Sequence, residues 1–210
     1  MSTWFTSDQH FGHRMIIKYE RRHENIAALT PDDPDIAIMD NFMIAQWNEN
    51  IQPHDTVYHL GDFALGKKPY RESIVKRLHG HKIIILGNHD AGAKSMLGIG
   101  FQEAYRYLGL EVPTYDGHTN WLLVHSAHPF FEHKSWYDHI ICGHVHSNWQ
   151  TKERAFNVGV DVNKYKPWRL DKLAWELGYT VASDATPHVI LTPKQTGVSA
   201  MKEILKGNLT

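Results

Sequence analysis

Cysteine occurs once in the 210 residues of this chain, as Cys142. No internal disulfide can form, and a closed structural zinc site built on thiolates is excluded with it. Within Ile140-Ile141-Cys142-Gly143 the residue reads as a small buried apolar side chain and not as a nucleophile. Long apolar runs are missing too. No stretch approaches the roughly 20 residues that cross a bilayer, and no basic-then-apolar leader precedes the first apolar run. A cytoplasmic protein with no membrane partner is expected. Net charge is nearly absent: 22 Lys and Arg stand against 23 Asp and Glu, with Arg21-Arg22 and Lys67-Lys68 the tightest basic clusters. Such a chain offers no field for a polyanion, so extended nucleic acid is disfavoured as a partner and small anionic ligands fit better. Repeats and low-complexity segments are also lacking. With 42% hydrophobic residues, the chain is long enough for one well-buried domain and too short for two of ordinary size.

What the chain has is histidine, 16 of them, and some fall in short motifs. Asp8-Gln9-His10, Gly61-Asp62, Gly87-Asn88-His89-Asp90, Val124-His125 and Gly143-His144-Val145-His146 each follow a run suited to a buried strand. Those runs are residues 3–6, 56–60, 82–86, 121–124 and 139–142. One Asp-x-His arises easily by chance; five motifs in this order do not. In an open α/β sheet, ligands gather where loops leave the carboxyl ends of strands, so the five junctions can converge. Three carboxylates, one asparagine and five histidines make a ligand set for a pair of divalent metals, with one group left for acid-base chemistry. The first reading is a hydrolase.

The pattern resembles the calcineurin-like metallophosphoesterase superfamily, whose motifs run D-x-H, GD, GNH-[D/E], H and GH-x-H. The resemblance extends over about residues 3–175 and is nearest the compact bacterial and phage-type members. These open with a phrase like Phe5-Thr6-Ser7-Asp8-Gln9-His10-Phe11-Gly12-His13, carry one like Val57-Tyr58-His59-Leu60-Gly61-Asp62, and end near one like Asn157-Val158-Gly159-Val160-Asp161. The fold implied is a four-layer α/β/β/α sandwich with two mixed β-sheets. The resemblance assigns Asp8, His10, Asp62 and His146 to one metal and Asp62, Asn88, His125 and His144 to the other, with Asp62 shared. The implied activity is hydrolysis of phosphodiesters, and of monoesters by extension, in which a hydroxide bridging the ions attacks phosphorus and His89 protonates the leaving group. Two divalent ions are the implied cofactors, manganese first, with iron or zinc as alternatives, because the set mixes oxygen and imidazole without thiolate. A small phosphoester or nucleotide is the expected substrate. Gly61-Asp62 continues as Phe63-Ala64-Leu65-Gly66 and lacks the GD-x-x-DRG continuation of phosphoprotein phosphatases. A nuclease acting on short oligonucleotide ends is the nearest alternative, and a non-catalytic scaffold on the same fold is an alternative of another class.

Several positions stay open in the sequence. His125 and His128 compete for one ligand role in His125-Ser126-Ala127-His128-Pro129, and His125 is preferred because it directly follows the strand. Asp90 either orients His89 or caps the next turn. His13 either approaches substrate or is a capping or surface residue, and Asn157 and Asp161 either support metal-binding histidines or shape turns. His59 interrupts a buried strand and reads as a hydrogen-bonded core imidazole. His23, His54, His79, His81, His118, His133, His139 and His188 default to the surface.

Helical spacing of Ile36, Met39, Phe42, Met43 and Trp47 predicts an amphipathic helix after Asp33-Pro34. Further helices are expected over residues 14–23, 69–79 (ended by Gly80) and 171–177, and residues 91–100 are small and Gly-rich. A strand from Glu111 should enter an Asp116-Gly117 turn before Trp121. One domain is expected over 1–210, its core about 3–175, with a C-terminal appendage of about 180–210 holding a strand at 188–191 and a helix near 198–205.

Overall fold

Strand β1 (Thr3–Thr6) shows how the fold sorts its side chains. Trp4 enters one hydrophobic core and Phe5 the opposite one, because successive side chains on a strand face opposite ways. The same split runs along β2 (Thr56–His59), with Val57 against Tyr58, and β3 (His81–Ile85), with Ile84 against Ile83 and Ile85. These three are parallel, and β4 (Glu103–Tyr105) adds in parallel to β3. Antiparallel β10 (Trp168–Arg169) closes the far edge, giving the order β10-β1-β2-β3-β4.

The second sheet begins one residue later. It contains β5 (Tyr107–Thr114), β6 (Gly117–Val124), β7 (His139–Cys142), β8 (Thr151–Lys152), β9 (Ala155–Asn157) and β11 (His188–Leu191), in the order β11-β5-β6-β7-β9-β8. Both sheets mix parallel and antiparallel pairs, so the architecture is an α/β sandwich with two mixed sheets. Leu108, Leu110, Trp121, Leu123, Ile141 and Phe156 meet Phe5, Tyr58 and Ile85 between the sheets. Each such buried side chain contributes about 1.5–3 kcal/mol relative to exposure.

On the outer face of the first sheet lie α2 (Ile36–Asn50), α3 (Lys68–Arg77) and α4 (Gly92–Leu97), burying Met39, Met43, Trp47, Ile74, Val75 and Met96. The outer face of the second sheet differs from the expected fourth layer. Among the described residues no α-helix covers it; a 3-10 turn at His128–Phe130 packs Ala127 and Phe130 onto Leu122, Val124 and Ile140, with Tyr137. Cys142 is buried in this cluster, where burial pushes its thiol pKa up.

The computed structural model describes residues 1–30, 35–131 and 137–191. The helix expected over 14–23 is instead a single turn, α1 (Ile16–Tyr19), and a 3-10 turn at Arg22–Glu24, broken where Arg21 adopts φ 50. The break turns Arg22 inward to buried partners described below. Helix α2 is capped by Asp35, whose carboxylate accepts from the Ala37 amide at 2.8 Å; most of Asp33-Pro34's neighbourhood, and that pair itself, lies outside the described residues, as does His133. Residues 91–100 form α4 around the buried Met96. The hairpin turns through Tyr115-Asp116, with Thr114 paired to Gly117. Helix α5 (Leu170–Glu176) packs Leu170, Leu173 and Ala174 into the core between the sheets. The expected appendage is in part integral, since β11 pairs with β5 and Val181 joins that core. The helix expected near 198–205 lies outside the described residues. No helix among the described residues is long and apolar enough to cross a membrane.

Candidate metal centre

Five strand ends converge, and the backbone there is bent into an uncommon shape. Asp8 (φ 63), His10 (φ 52), Asp62 (φ 55), His144 (φ 73) and His146 (φ 47) all lie in the left-handed region. For a non-glycine residue that costs on the order of 1 kcal/mol or more, and it persists only where surroundings over-determine it. Here they do. The amides of Asp8 and His10 donate to the carbonyls of Gly61 and Asp62, each at 3.1 Å. The loops also touch through glycine: a Cβ on Gly87 would fall 2.2 Å from Asp62 Oδ1, and one on Gly143 would fall 2.0 Å from Ser7 Oγ. Only a hydrogen fits at either point.

The side chains form two clusters. Asp8, His10 and His146 make one and Asp62, His125 and His144 the other, each with potential ligand atoms within 4.8 Å of one another. Asp62 joins them, because its Oδ2 lies 3.5 Å from His10 Nε2 and 3.4 Å from His125 Nε2. Asn88 belongs to the second cluster, with its Oδ1 3.0 Å from His125 Nε2.

These residues fit a pair of cations. His125 Nδ1 must carry a proton, because at 2.7 Å it faces only the Leu60 carbonyl. In the neutral ring, Nε2 is then a bare lone pair aimed at the oxygens of Asn88 and Asp62 and at His144 Nδ1, 3.2 Å away. Such a convergence of acceptors calls for a positive charge at Nε2, which a proton supplies in the ion-free site and which a metal ion would supply in its place. Burial opposes charging His125, but the Asp62 hydrogen bond and the charges of Asp8 and Asp62 outweigh it and push its pKa up to about 9. His10 shows the converse. Burial drives its pKa down to about 3, and both ring nitrogens are buried without a hydrogen bond, a deficit that a metal bond would remove at one of them. Asp62 is held below the usual carboxylate range: burial raises it, but the hydrogen bond and charge of His125 and the His89 amide prevail.

Outside the clusters, a buried ion pair fixes the first one. His146 Nδ1 donates to Asp161 Oδ2 at 2.8 Å, which leaves Nε2 free toward Asp8 and His10. Asp161 in turn accepts two bonds from Arg22, at 2.8 and 2.9 Å, the two side chains being 0% and 3% exposed. Arg22 also donates to the carbonyls of Asp8 and Gln9, each at 2.7 Å, pinning the left-handed segment. Arg22 is thus no part of a basic surface cluster. We expect Asp161→Asn to weaken metal binding about 10- to 100-fold by titration, because the amide orients His146 less firmly and leaves Arg22 unpaired. Unchanged affinity would show that His146 needs no such support.

The remaining open positions take definite places. Asp90 accepts from the amides of Asp62 (2.9 Å), Phe63 (3.1 Å) and Gly87 (2.8 Å), so it ties two ligand loops together by their backbone. Asn157 donates to the carbonyls of His146 and Trp149, each at 2.8 Å. His59 is buried between the Gly61 amide and Gln9 Oε1. His89 stands outside both clusters: its amide donates to Asp62 Oδ1 at 2.9 Å and its Nε2 is 4.0 Å from Asp62 Oδ2, with 47% of the side chain exposed. His13 faces the same side, its ring 5.4 Å from His10 and 6.3 Å from His89. His128 is exposed in the 3-10 turn and lines the same cleft as His125, but only His125 joins the cluster of Asp62 and His144. His54, His81, His118 and His188 are exposed, whereas His23, His79 and His139 are half-buried with hydrogen bonds.

With this geometry in view, related proteins bear on the chain. No protein-family model matches it. It is 30% identical over 180 residues to the uncharacterized protein MJ1445 of Methanocaldococcus jannaschii, covering 80% of this chain and 86% of that one. The chain belongs to the MJ1445 family. Similarity to the gene 66 protein of Mycobacterium phage L5 is 28% over 190 residues, covering 76% of this chain and 86% of the phage protein. The crystal structure of the protein of unknown function AQ665 from Aquifex aeolicus superposes with a TM-score of 0.56 at 26% identity, over 80% of this chain and 95% of that one. In each comparison the match spans most of the relative's length.

Proposed function

We propose that this chain is a dinuclear metal-dependent phosphoesterase of the calcineurin-like type that hydrolyses phosphodiesters of small molecules or nucleotides. One observation carries the reading: a single carboxylate oxygen, Asp62 Oδ2, faces a histidine of each ligand cluster, at 3.5 and 3.4 Å. A shared carboxylate is what a two-metal hydrolytic site requires. Asp8, His10, Asp62 and His146 would hold one ion, and Asp62, Asn88, His125 and His144 the other. The carboxylate, amide and imidazole set suits manganese, iron or zinc. When bound, two such ions supply an activated water and neutralise charge on the phosphoryl oxygens.

The protein's own groups do the rest. Leu60 and Asp161 fix the rings of His125 and His146, and Arg22 and Asp90 hold the loops that carry Asp8 and Asp62. His89 is anchored by its amide and half-exposed at its ring, so its imidazole is free to give a proton to a departing oxygen. A non-catalytic scaffold would have no use for five left-handed side-chain-bearing residues gathered at one point. The test is metal analysis with hydrolysis of bis(4-nitrophenyl) phosphate. We expect about two divalent ions per chain, loss of activity on chelation and recovery on adding manganese. Full activity in demonstrably metal-free protein would overturn the proposal. Adding cyclic nucleotides, dinucleotides and short oligonucleotides to the same assay separates a small-molecule diesterase from a nuclease.

A further inference from the structure

At its first crossing between the sheets the chain spends one residue, Arg106, between β4 and β5. Its place is fixed from both sides. Tyr105 pairs with Ile85 and its carbonyl accepts from the Leu86 amide at 2.8 Å, while Tyr107 pairs with Val124. Arg106 is therefore level both with the start of the Gly87-Asn88 loop and with His125. A cleft of about 510 Å³ opens at this point, with Asn88, His125 and Arg106 among its polar lining and Leu86, Val124 and Phe130 along its apolar side. The Arg106 side chain is exposed, and it has no ion pair or hydrogen bond among the described residues.

The cleft has the scale of a site for one small organic ligand. It runs off the cluster holding His125 and His144, and His89 is not part of its lining. In an in-line displacement the leaving group departs beside the general acid, so the arm that stays on phosphorus is the one left to occupy this cleft. Apolar walls suit a planar ring, and a guanidinium fork suits a second anion such as phosphate or carboxylate. Resting on the phosphoesterase reading, we propose that Arg106 is a specificity residue that binds an anionic group on the retained arm of a mononucleotide-sized phosphodiester. A lone exposed arginine usually means no more than solubility. This one is placed by two strand registers in the lining of a cleft that reaches Asn88, His125 and His144.

Calorimetric titration of the full-length, manganese-loaded protein with adenosine 5′-monophosphate and adenosine 3′,5′-bisphosphate tests the assignment. The wild type should bind the bisphosphate more tightly. Arg106→Gln should reduce that preference roughly 10- to 100-fold, with metal content and thermal midpoint as controls for folding. Arg106→Lys should fall between, since a point charge replaces a fork. The assignment is overturned if the wild type shows no preference, if neither probe binds, or if Arg106→Gln keeps the full preference. Retained hydrolysis of bis(4-nitrophenyl) phosphate alongside any of these results removes only the Arg106 role. Absence of bound metal and of hydrolysis removes the phosphoesterase reading itself.

Discussion

Asp62→Asn is expected to empty both halves of the site together, while His10→Ala depletes mainly one. The Asp62 carboxylate faces His10 and His125 with one oxygen and takes the His89 amide with the other. An amide in its place has no charge to share and turns a donor toward histidine lone pairs. The loss should exceed the roughly 10- to 100-fold typical of outer partners of a metal site. Turnover should fall on the order of 10³-fold or more, because several kcal/mol of charge stabilisation leave with the ions. Titration of each variant with manganese, with elemental analysis of the purified proteins, reads the stoichiometry directly. Two sites of unaltered affinity in the Asp62 variant would mean that the carboxylate is not shared.

His89→Asn should behave in the opposite way, keeping both ions while lowering turnover about 10²- to 10⁴-fold on esters with alkyl leaving groups. Its ring lies edge-on to His10 at 5.4 Å between centroids, yet its Nε2 belongs to neither ligand cluster. The deficit should shrink for a nitrophenyl ester, whose leaving group departs with little need of a proton, whereas an alkoxide bears the full cost of the missing transfer. Steady-state kinetics on the two ester types, with metal content of the variant, distinguishes the roles. Equal losses on both esters would make His89 a phosphoryl-positioning residue, and a lost ion would make it a ligand.

Legibility of the site in the sequence followed from strand period. Five apolar runs ended where the chain had to turn, and Asp8, Asp62, Asn88, His125 and His144 sit at those turns. Arg22 escaped because its partner, Asp161, is 139 residues away and its neighbour Arg21 made the pair look like solvated charge. Nothing local distinguishes a buried arginine from an exposed one. Arg106 escaped for a related reason: a single basic residue between two strands acquires meaning only once those strands belong to different sheets. The helix expected over 14–23 failed because tertiary pull on Arg22 outweighed local helical preference. Helix α4 was hidden by its glycine content, and only burial of Met96 accounts for it. The second sheet's outer covering could not be read at all, since a turn packed on a sheet has no period of its own.

The one-residue seam at Arg106 also divides the ligands. Asp8, His10, Asp62 and Asn88 precede it, and His125, His144 and His146 follow it, yet each cluster draws on both groups. On the proposed reading, a cation in either position would tie side chains from before the seam to side chains from after it. Its binding energy would add to the cohesion of the whole sandwich rather than to one loop. Under the proposed function, ion binding and the packing of the two sheets would then reinforce one another, since both bring the same strand ends together.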